Sequence, residues 1–378
     1  MNSTDDAMPK GRLASLDALR GFDMFWILMP TYPVFHSLLV ALGLGGCWLD
    51  LQMEHPEWIG FTFYDTIYPL FLFMAGVSFP YSFAKSRALG LGYGRIMLKI
   101  LKRAVVLWLL GTTIFGSLQF EFDRHILSSV LGRIGIAWGM AAIVYVWLGK
   151  RARLFVCAAI LVIYGAIPFW VPCPEAVGEG SPYSAADLCI YAWLDRHFFP
   201  KPQILEGATG LLCMVSTALM GMFAGDWLKA PDMTVSRKRK FVGLIAAGVG
   251  CGVVGLVIAG GLGRWSVPVI KTVWTSSFAL VSSAYSLLML ALFYWLIDIR
   301  GWRSWSFPFR VIGVNSVAAY LLSRTIFPWP GQMRFLFGGV MRLCPTPEWG
   351  EFVGESLFVA VYWLLLYLMY RKGIFLRA

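Results

Sequence analysis

The chain has 378 residues, 58% of them hydrophobic and only 14% charged, with a mean hydropathy of +0.68. A soluble domain carries about a quarter charged residues, so that class is excluded, and repeated apolar runs of roughly twenty residues indicate a polytopic helical membrane protein. A transmembrane barrel requires short alternating segments instead. The net charge of +11 does not indicate nucleic acid, because the basic residues fall in short clusters between apolar runs, which is a signal of membrane topology.

The polar start, residues 1–20, reads as a cytoplasmic segment. No small-residue cleavage site follows it, so the first helix is expected to be an uncleaved anchor. About ten spans follow. Span one runs roughly Gly21–Leu42 and contains Pro30 and Pro33. A polar island, Met53–Asp65, separates it from span two, roughly Thr62–Ala84. After a basic loop come span three (Ala104–Phe120), the turn Glu121–His125, span four (Ser128–Leu148) and span five (Leu154–Val171). A long polar segment, Pro172–Leu205, contains an interfacial piece near Asp187–Phe199. Spans six (Ala208–Leu228), seven (Phe241–Leu262), eight (Val273–Ile297) and nine (Val311–Phe327) precede a second polar segment, Pro328–Gly350. Span ten is Phe352–Tyr370.

Most lysines and arginines lie at the two ends of the chain and after spans two, four, six and eight. By the positive-inside rule both termini are cytoplasmic. The His55 island and the loops 172–205 and 328–350 then share the outer face of one transmembrane domain, residues 1–378. Seven cysteines are present. Cys173 and Cys189 flank the first outer loop, where a disulfide and two free thiols are both open.

His55 is one of four histidines, and Glu54, Glu57, Trp58 and Asp65 lie near it in the island. An imidazole can act near neutral pH as acid, base or acyl acceptor. Glu54, Glu57 and Asp65 are all close enough in sequence to orient it or raise its basicity. His36, His125 and His197 are scattered, and no His or Cys pair has metal-ligand spacing, so no metal is expected. Arg133, Asp65 and the polar Asn315 lie within spans, where such side chains are functional candidates by default. Gly250-Cys251-Gly252-Val253-Val254-Gly255 matches a dinucleotide fingerprint, but it sits in an apolar run with no strand before it.

Six stretches, in order, resemble the transmembrane acetyltransferases related to heparan-alpha-glucosaminide N-acetyltransferase, in particular their bacterial members. They are Arg12–Asp23; Glu54–Gly60 continuing through Asp65–Gly76; Val130–Ile134; Glu206-Gly207 through Gly221 and Gly225; Lys271–Phe278; and Gly313–Ser316 through Tyr320. The resemblance implies a multi-pass enzyme of a bacterial inner membrane that takes acetyl-CoA from the cytosol and acetylates an amino sugar or a sugar hydroxyl of a glycan outside. It implies His55 as the catalytic histidine, and Asp65, which heads span two in a family-like run, becomes the first choice to orient it, ahead of Glu54 and Glu57. On this reading the donor binds along Arg133, Lys271, Trp274, Ser276 and Asn315, and the acceptor meets Glu54, Trp58 and Glu206. An asparagine of the family's first helix falls here on Thr31, and the loop before His55 is longer. A related class of membrane O-acyltransferases shares the opening run but places its histidine at the position of Thr31. The lipid bilayer is the obligatory partner, a homodimer is compatible, and nucleic acid is not expected. The rival class is a transporter for sugars or glycan precursors, which spans, Pro breaks and intramembrane charges also suit.

Overall fold

The computed structural model describes residues 13–27, 31–114, 129–176, 180–198, 207–325 and 331–375. Every regular element among them is helical. In chain order they are α1 (Ala14–Ile27), α2 (Thr31–Ala41), α3 (Trp48–Leu51), α4 (Ile67–Ala88), α5 (Tyr93–Ile114), α6 (Val130–Trp147), α7 (Lys150–Trp170) and α8 (Ile190–Phe198). They continue with α9 (Leu211–Lys229), α10 (Arg237–Gly260), α11 (Ser276–Phe293), α12 (Phe307–Val314), α13 (Ser316–Thr325), α14 (Gly331–Met341) and α15 (Pro347–Arg371).

Among the described residues seven helices are long and apolar enough to cross a membrane, or eight if α1 and α2, bent by 62°, form one broken span. The sequence predicts about ten, and the two others differ for physical reasons. Predicted span three begins inside α5, whose first three turns carry Arg95, Lys99, Lys102 and Arg103, and its end lies outside the described residues. Predicted span nine breaks at Asn315, which separates α12 from α13, and neither half is long enough to cross. The expected interfacial piece is the short helix α8, whose Ile190, Tyr191, Ala192 and Asp195 are buried.

The chain divides into two compact units. The first comprises residues 1–54, 62–67 and 289–378. In it α1 packs along α12, and α2 and α14 pack on α15. A Cβ on Gly21 would stand 1.6 Å from the Phe309 carbonyl oxygen, and one on Gly313 would stand 1.9 Å from that of Asp17. Backbones this close need small residues, which is how helices associate where lipid offers no hydrophobic drive between them. The rings of Phe22, Phe293 and Phe309 close the same seam, Phe22 meeting Phe309 edge to face and Phe293 at a tilt.

The second unit comprises residues 55–61 and 68–288. Its core is built from α4, α6 and α9 with the start of α11, and includes Leu72, Trp138, Met214, Met222, Trp274 and Phe278. The buried indole of Trp138 donates to the Ala75 carbonyl at 3.2 Å. α10 presents Val242, Val249, Val253 and Leu256 outward, an apolar face suited to lipid. The Gly250–Gly255 run is interior to that helix. It neither follows a strand nor opens a helix, so it forms no phosphate cradle.

Candidate active site

Within the second unit, residues 55–61 form an irregular strap. Two polar bonds hold it: the Trp58 indole donates to the Tyr183 carbonyl at 2.9 Å, and the Gly60 amide donates to the Val269 carbonyl at 3.0 Å. The second bond joins the strap to the segment that precedes α11. There the chain turns tightly, with the Trp274 amide bonded to the Lys271 carbonyl at 2.9 Å and the Thr275 amide to the Ile270 carbonyl at 3.1 Å. Thr275 braces the turn from inside, accepting from the Ile270 amide at 3.1 Å and donating to the Pro268 carbonyl at 2.8 Å. Trp274 has φ of +49°, a left-handed conformation unfavourable for a bulky residue. It is held there by burial, by its indole bond to Thr217 Oγ1 at 3.3 Å and by the edges of Tyr68 and Phe278.

The carbonyls of this turn are taken by neighbouring segments. Tyr164 of α7 donates to the Val273 carbonyl at 2.6 Å, and the Gly207 amide donates to that of Thr272 at 2.7 Å. The Ser276 hydroxyl returns a bond to the Leu161 carbonyl of α7 at 2.5 Å. The turn thereby fixes the backbone of Lys271, which is 9% exposed. Its Nζ lies 3.3 Å from both Nδ1 and Nε2 of the half-buried His55. An ammonium has only donors, so the imidazole nitrogen it meets is the acceptor.

Asp195 of α8 supports this arrangement. Its carboxylate accepts from the Thr209 amide at 2.9 Å and from the Thr209 hydroxyl at 2.7 Å, just ahead of α9. Burial raises its pKa above the usual carboxylate range, against the opposing pull of the Thr209 bonds and of the Arg133 charge. A negative group here suits the positive end of the α9 dipole. Gly207 is required beside it, since a Cβ would stand 1.5 Å from Asp195 Oδ2.

Of the residues predicted from sequence, the second unit brings together His55, Trp58, Lys271, Trp274 and Ser276, with Arg133 buried in α6 near Asp195. Trp274 and Ser276 are both buried, and their recorded bonds hold the turn. Asp65, Asn315 and Glu54 belong to the first unit. Asp65 is fully buried and forms a capping box with Thr62, its Oδ2 accepting the Thr62 amide at 3.1 Å. This geometry fixes the turn at which the strap enters α4. The Thr62 hydroxyl donates to the Glu54 carbonyl at 2.7 Å, while the Glu54 side chain is exposed. Asn315 donates to the Ile374 carbonyl at 3.0 Å. Glu206 and His125 lie outside the described residues. His197 stacks on Trp193 and pairs with Glu175 at 3.2 Å. Cys173 and Cys189 are both buried free thiols. Among the described residues no group of three or more His, Cys, Asp or Glu side chains could hold a metal.

Sequence inspection missed two things. Asp195, inside a segment read as interfacial, accepts both the amide and the hydroxyl of Thr209, 14 residues on, and no local spacing marks that pair. His36 is not isolated: its Nδ1 lies 2.7 Å from Asp50 Oδ1.

No family model matches the chain. It is 22% identical to heparan-alpha-glucosaminide N-acetyltransferase of Mus musculus over 98% of its own length and 62% of that protein. To the protein of the same name from Homo sapiens it is 23% identical over 96% of its length and 59% of the relative. The chain spans about three fifths of the length of these curated relatives. It is a distant relative of the heparan-alpha-glucosaminide N-acetyltransferase family.

Proposed function

We propose that this chain is a transmembrane acetyltransferase that moves the acetyl group of acetyl-CoA to an amino sugar or a sugar hydroxyl, with His55 as the reacting side chain. The observation that carries the proposal is the contact of His55 with the buried Lys271, 3.3 Å apart, on a turn held from three sides. The distant relationship to an enzyme named for N-acetyl transfer to a glucosaminide supports it.

Two routes use the same pair. In the direct route the acceptor amine or hydroxyl attacks the thioester carbonyl while an imidazole nitrogen takes its proton. The C–S bond then breaks, and the thiolate of CoA takes that proton back from the imidazolium. In the covalent route the imidazole attacks the carbonyl and the C–S bond breaks to release the thiolate; the acceptor then attacks the acetyl-imidazole, the N–acyl bond breaks to restore the imidazole, and the acceptor's proton goes to the thiolate. Both routes build negative charge on the carbonyl oxygen and then on sulfur. A fixed ammonium such as that of Lys271 is the donor such charge requires.

We assign the donor to Arg133 and Lys271, with Trp274 and Ser276 serving it through the turn they hold, and the acceptor to Trp58. Roles for Asn315 toward the donor and for Glu54 and Glu206 toward the acceptor rest on the sequence alone. Asp65 acts as a positioning residue through the turn that follows the strap. The donor enters from the cytosol of a bacterial cell and the acceptor lies on the outer face of its cytoplasmic membrane.

The test is incubation of purified protein with labelled acetyl-CoA and a panel of sugars. Acetylated glucosamine is the expected product, and a His55→Ala protein that forms it as fast as the wild type would overturn the assignment. A transporter is the second reading, favoured by the helix break at Asn315 and the bend between α1 and α2. Saturable binding of labelled acetyl-CoA excludes it, since a sugar transporter has no site for that donor.

A further inference from the structure

The unit of residues 1–54, 62–67 and 289–378 holds a cleft of its own, of about 430 Å³. This lies within the range of roughly 300–1,000 Å³ typical of small-molecule sites. Its walls include Tyr32, His36, Tyr64, Glu348, Glu351 and Glu355. The three glutamates fall at i, i+3 and i+7 of α15, a spacing that puts them on one helix face. Tyr32 and His36 are one turn apart on α2, with their rings stacked at 6.2 Å.

The polar groups are oriented. Asp50 Oδ2 accepts the Gly46 amide at 2.8 Å, and its Oδ1 lies 2.7 Å from His36 Nδ1. A carboxylate accepts, so Nδ1 carries the proton and Nε2 is left as the nitrogen with a lone pair when the ring is neutral. Glu355 is only 4% exposed, and the Ser37 hydroxyl donates to its Oε2 at 2.6 Å. Among the described residues no lysine or arginine pairs with Glu355; the charged or titratable groups acting on it are Glu351 and His36. Arg334 engages Glu351 at 3.1 Å, toward solvent. A buried carboxylate with one neutral partner is costly to leave so, and it lines a cleft rich in acceptors and aromatic faces.

We propose that this cleft binds a small organic cation carrying a primary ammonium. An ammonium offers three N–H donors, which match the carboxylates of Glu355 and Glu348 and the Nε2 of His36. The Tyr32 and Tyr64 rings add the aromatic surface that cations favour. Removing the charge at constant size removes the binding. The proposal is independent of acetyl transfer, since none of its residues belongs to the His55–Lys271 pair.

The test is calorimetric titration of the detergent-purified full chain with ethanolamine, N-acetylethanolamine and ethylene glycol, at ionic strength matched with sodium chloride. Ethanolamine alone is expected to bind. Glu355→Gln is expected to weaken it at least about tenfold, as loss of a charge-assisted bond implies. Glu348→Gln, at the exposed rim, is expected to weaken it about threefold and serves if the buried variant does not fold. Equal binding of all three probes, no binding of ethanolamine, or an unchanged affinity in a folded Glu355→Gln or Glu348→Gln protein would overturn the proposal. Repeating the titration in phosphatidylglycerol nanodiscs with and without phosphatidylethanolamine identifies the source. Competition by the lipid assigns the site to its headgroup, and its absence assigns the site to a free amine.

Discussion

Gly207→Ala tests the latch that positions Lys271. The added methyl would stand 1.5 Å from Asp195 Oδ2 and 2.3 Å from its Cγ, so the carboxylate must leave its place. It then loses the Thr209 amide and hydroxyl. Hydrogen bonds to a charged group contribute about 1.5–3 kcal/mol each, and the lower end for two bonds to one residue gives about 3 kcal/mol. Weakening the Gly207 amide bond to Thr272 adds about 1 kcal/mol. Asp195→Ala alone should cost about 3 kcal/mol by the same count. If the clash carries the effect, the double variant has nothing left to collide and costs about 3 kcal/mol, not the roughly 7 that addition gives. Thermal unfolding in detergent, followed by tryptophan fluorescence, reads this as midpoint losses of about 8, 6 and 6 °C, at about 2 °C per kcal/mol. Additive losses near 14 °C in the double variant, or a Gly207→Ala midpoint within about 1 °C of wild type, would refute the latch.

Further outcomes follow from the same geometry. Lys271→Met keeps the buried stem and removes the charge; acetyl transfer should fall about 10²–10³-fold in kcat, as for loss of one oxyanion donor, in a rate assay with labelled acetyl-CoA. Asp65→Ala removes the capping box at the head of α4 and should cost about 1 kcal/mol, read as a lower unfolding midpoint. Burial tends to raise the pKa of Asp50, but the Gly46 amide and His36 outweigh it and hold it below the usual range. A depressed carboxylate contributes stability above its unfolded pKa of about 3.9, and that stability is lost as pH falls through the folded value. The midpoint gap between wild type and Asp50→Asn should therefore shrink below about pH 4, and a gap that widens there would contradict the assignment.

Most of the spans were legible because each is a run of apolar residues ended by charge or glycine. The two that differ failed for local reasons. Basic residues in the first turns of α5 and a polar Asn315 inside an apolar run change what a helix can do without changing its mean hydropathy much. The strap was legible as a polar island, but its partners were not. Lys271 lies 216 residues from His55, and nothing in either neighbourhood encodes the meeting. The role of Asp65 was partly legible in another sense. Thr62-Phe63-Tyr64-Asp65 has the spacing of a capping box, a local signal that competes with any longer-range role for the same carboxylate. His36 and Asp50 are close in sequence, yet an intervening glycine-rich turn rather than helical periodicity brings them together, so no spacing rule identifies them.

The contact between Lys271 and His55 links two roles that sequence alone kept apart. Lys271 was assigned to the donor and His55 to the chemistry. Under the proposed acetyl transfer, a lysine within 3.3 Å of the His55 imidazole would serve both, because the thioester must come to the histidine for transfer to occur. The surrounding turn explains why the charge can be kept there. A buried ammonium is costly unless its site is fixed and its donors are used. Here the backbone on its C-terminal side is tied to α7 through Val273, to Gly207 through Thr272, and braced from within by Thr275. The strained Trp274 is part of the same device, since relaxing its φ would move the adjoining backbone of the Lys271 turn. These bonds hold the backbone of one cation in place, which is the preorganisation the proposed transfer requires.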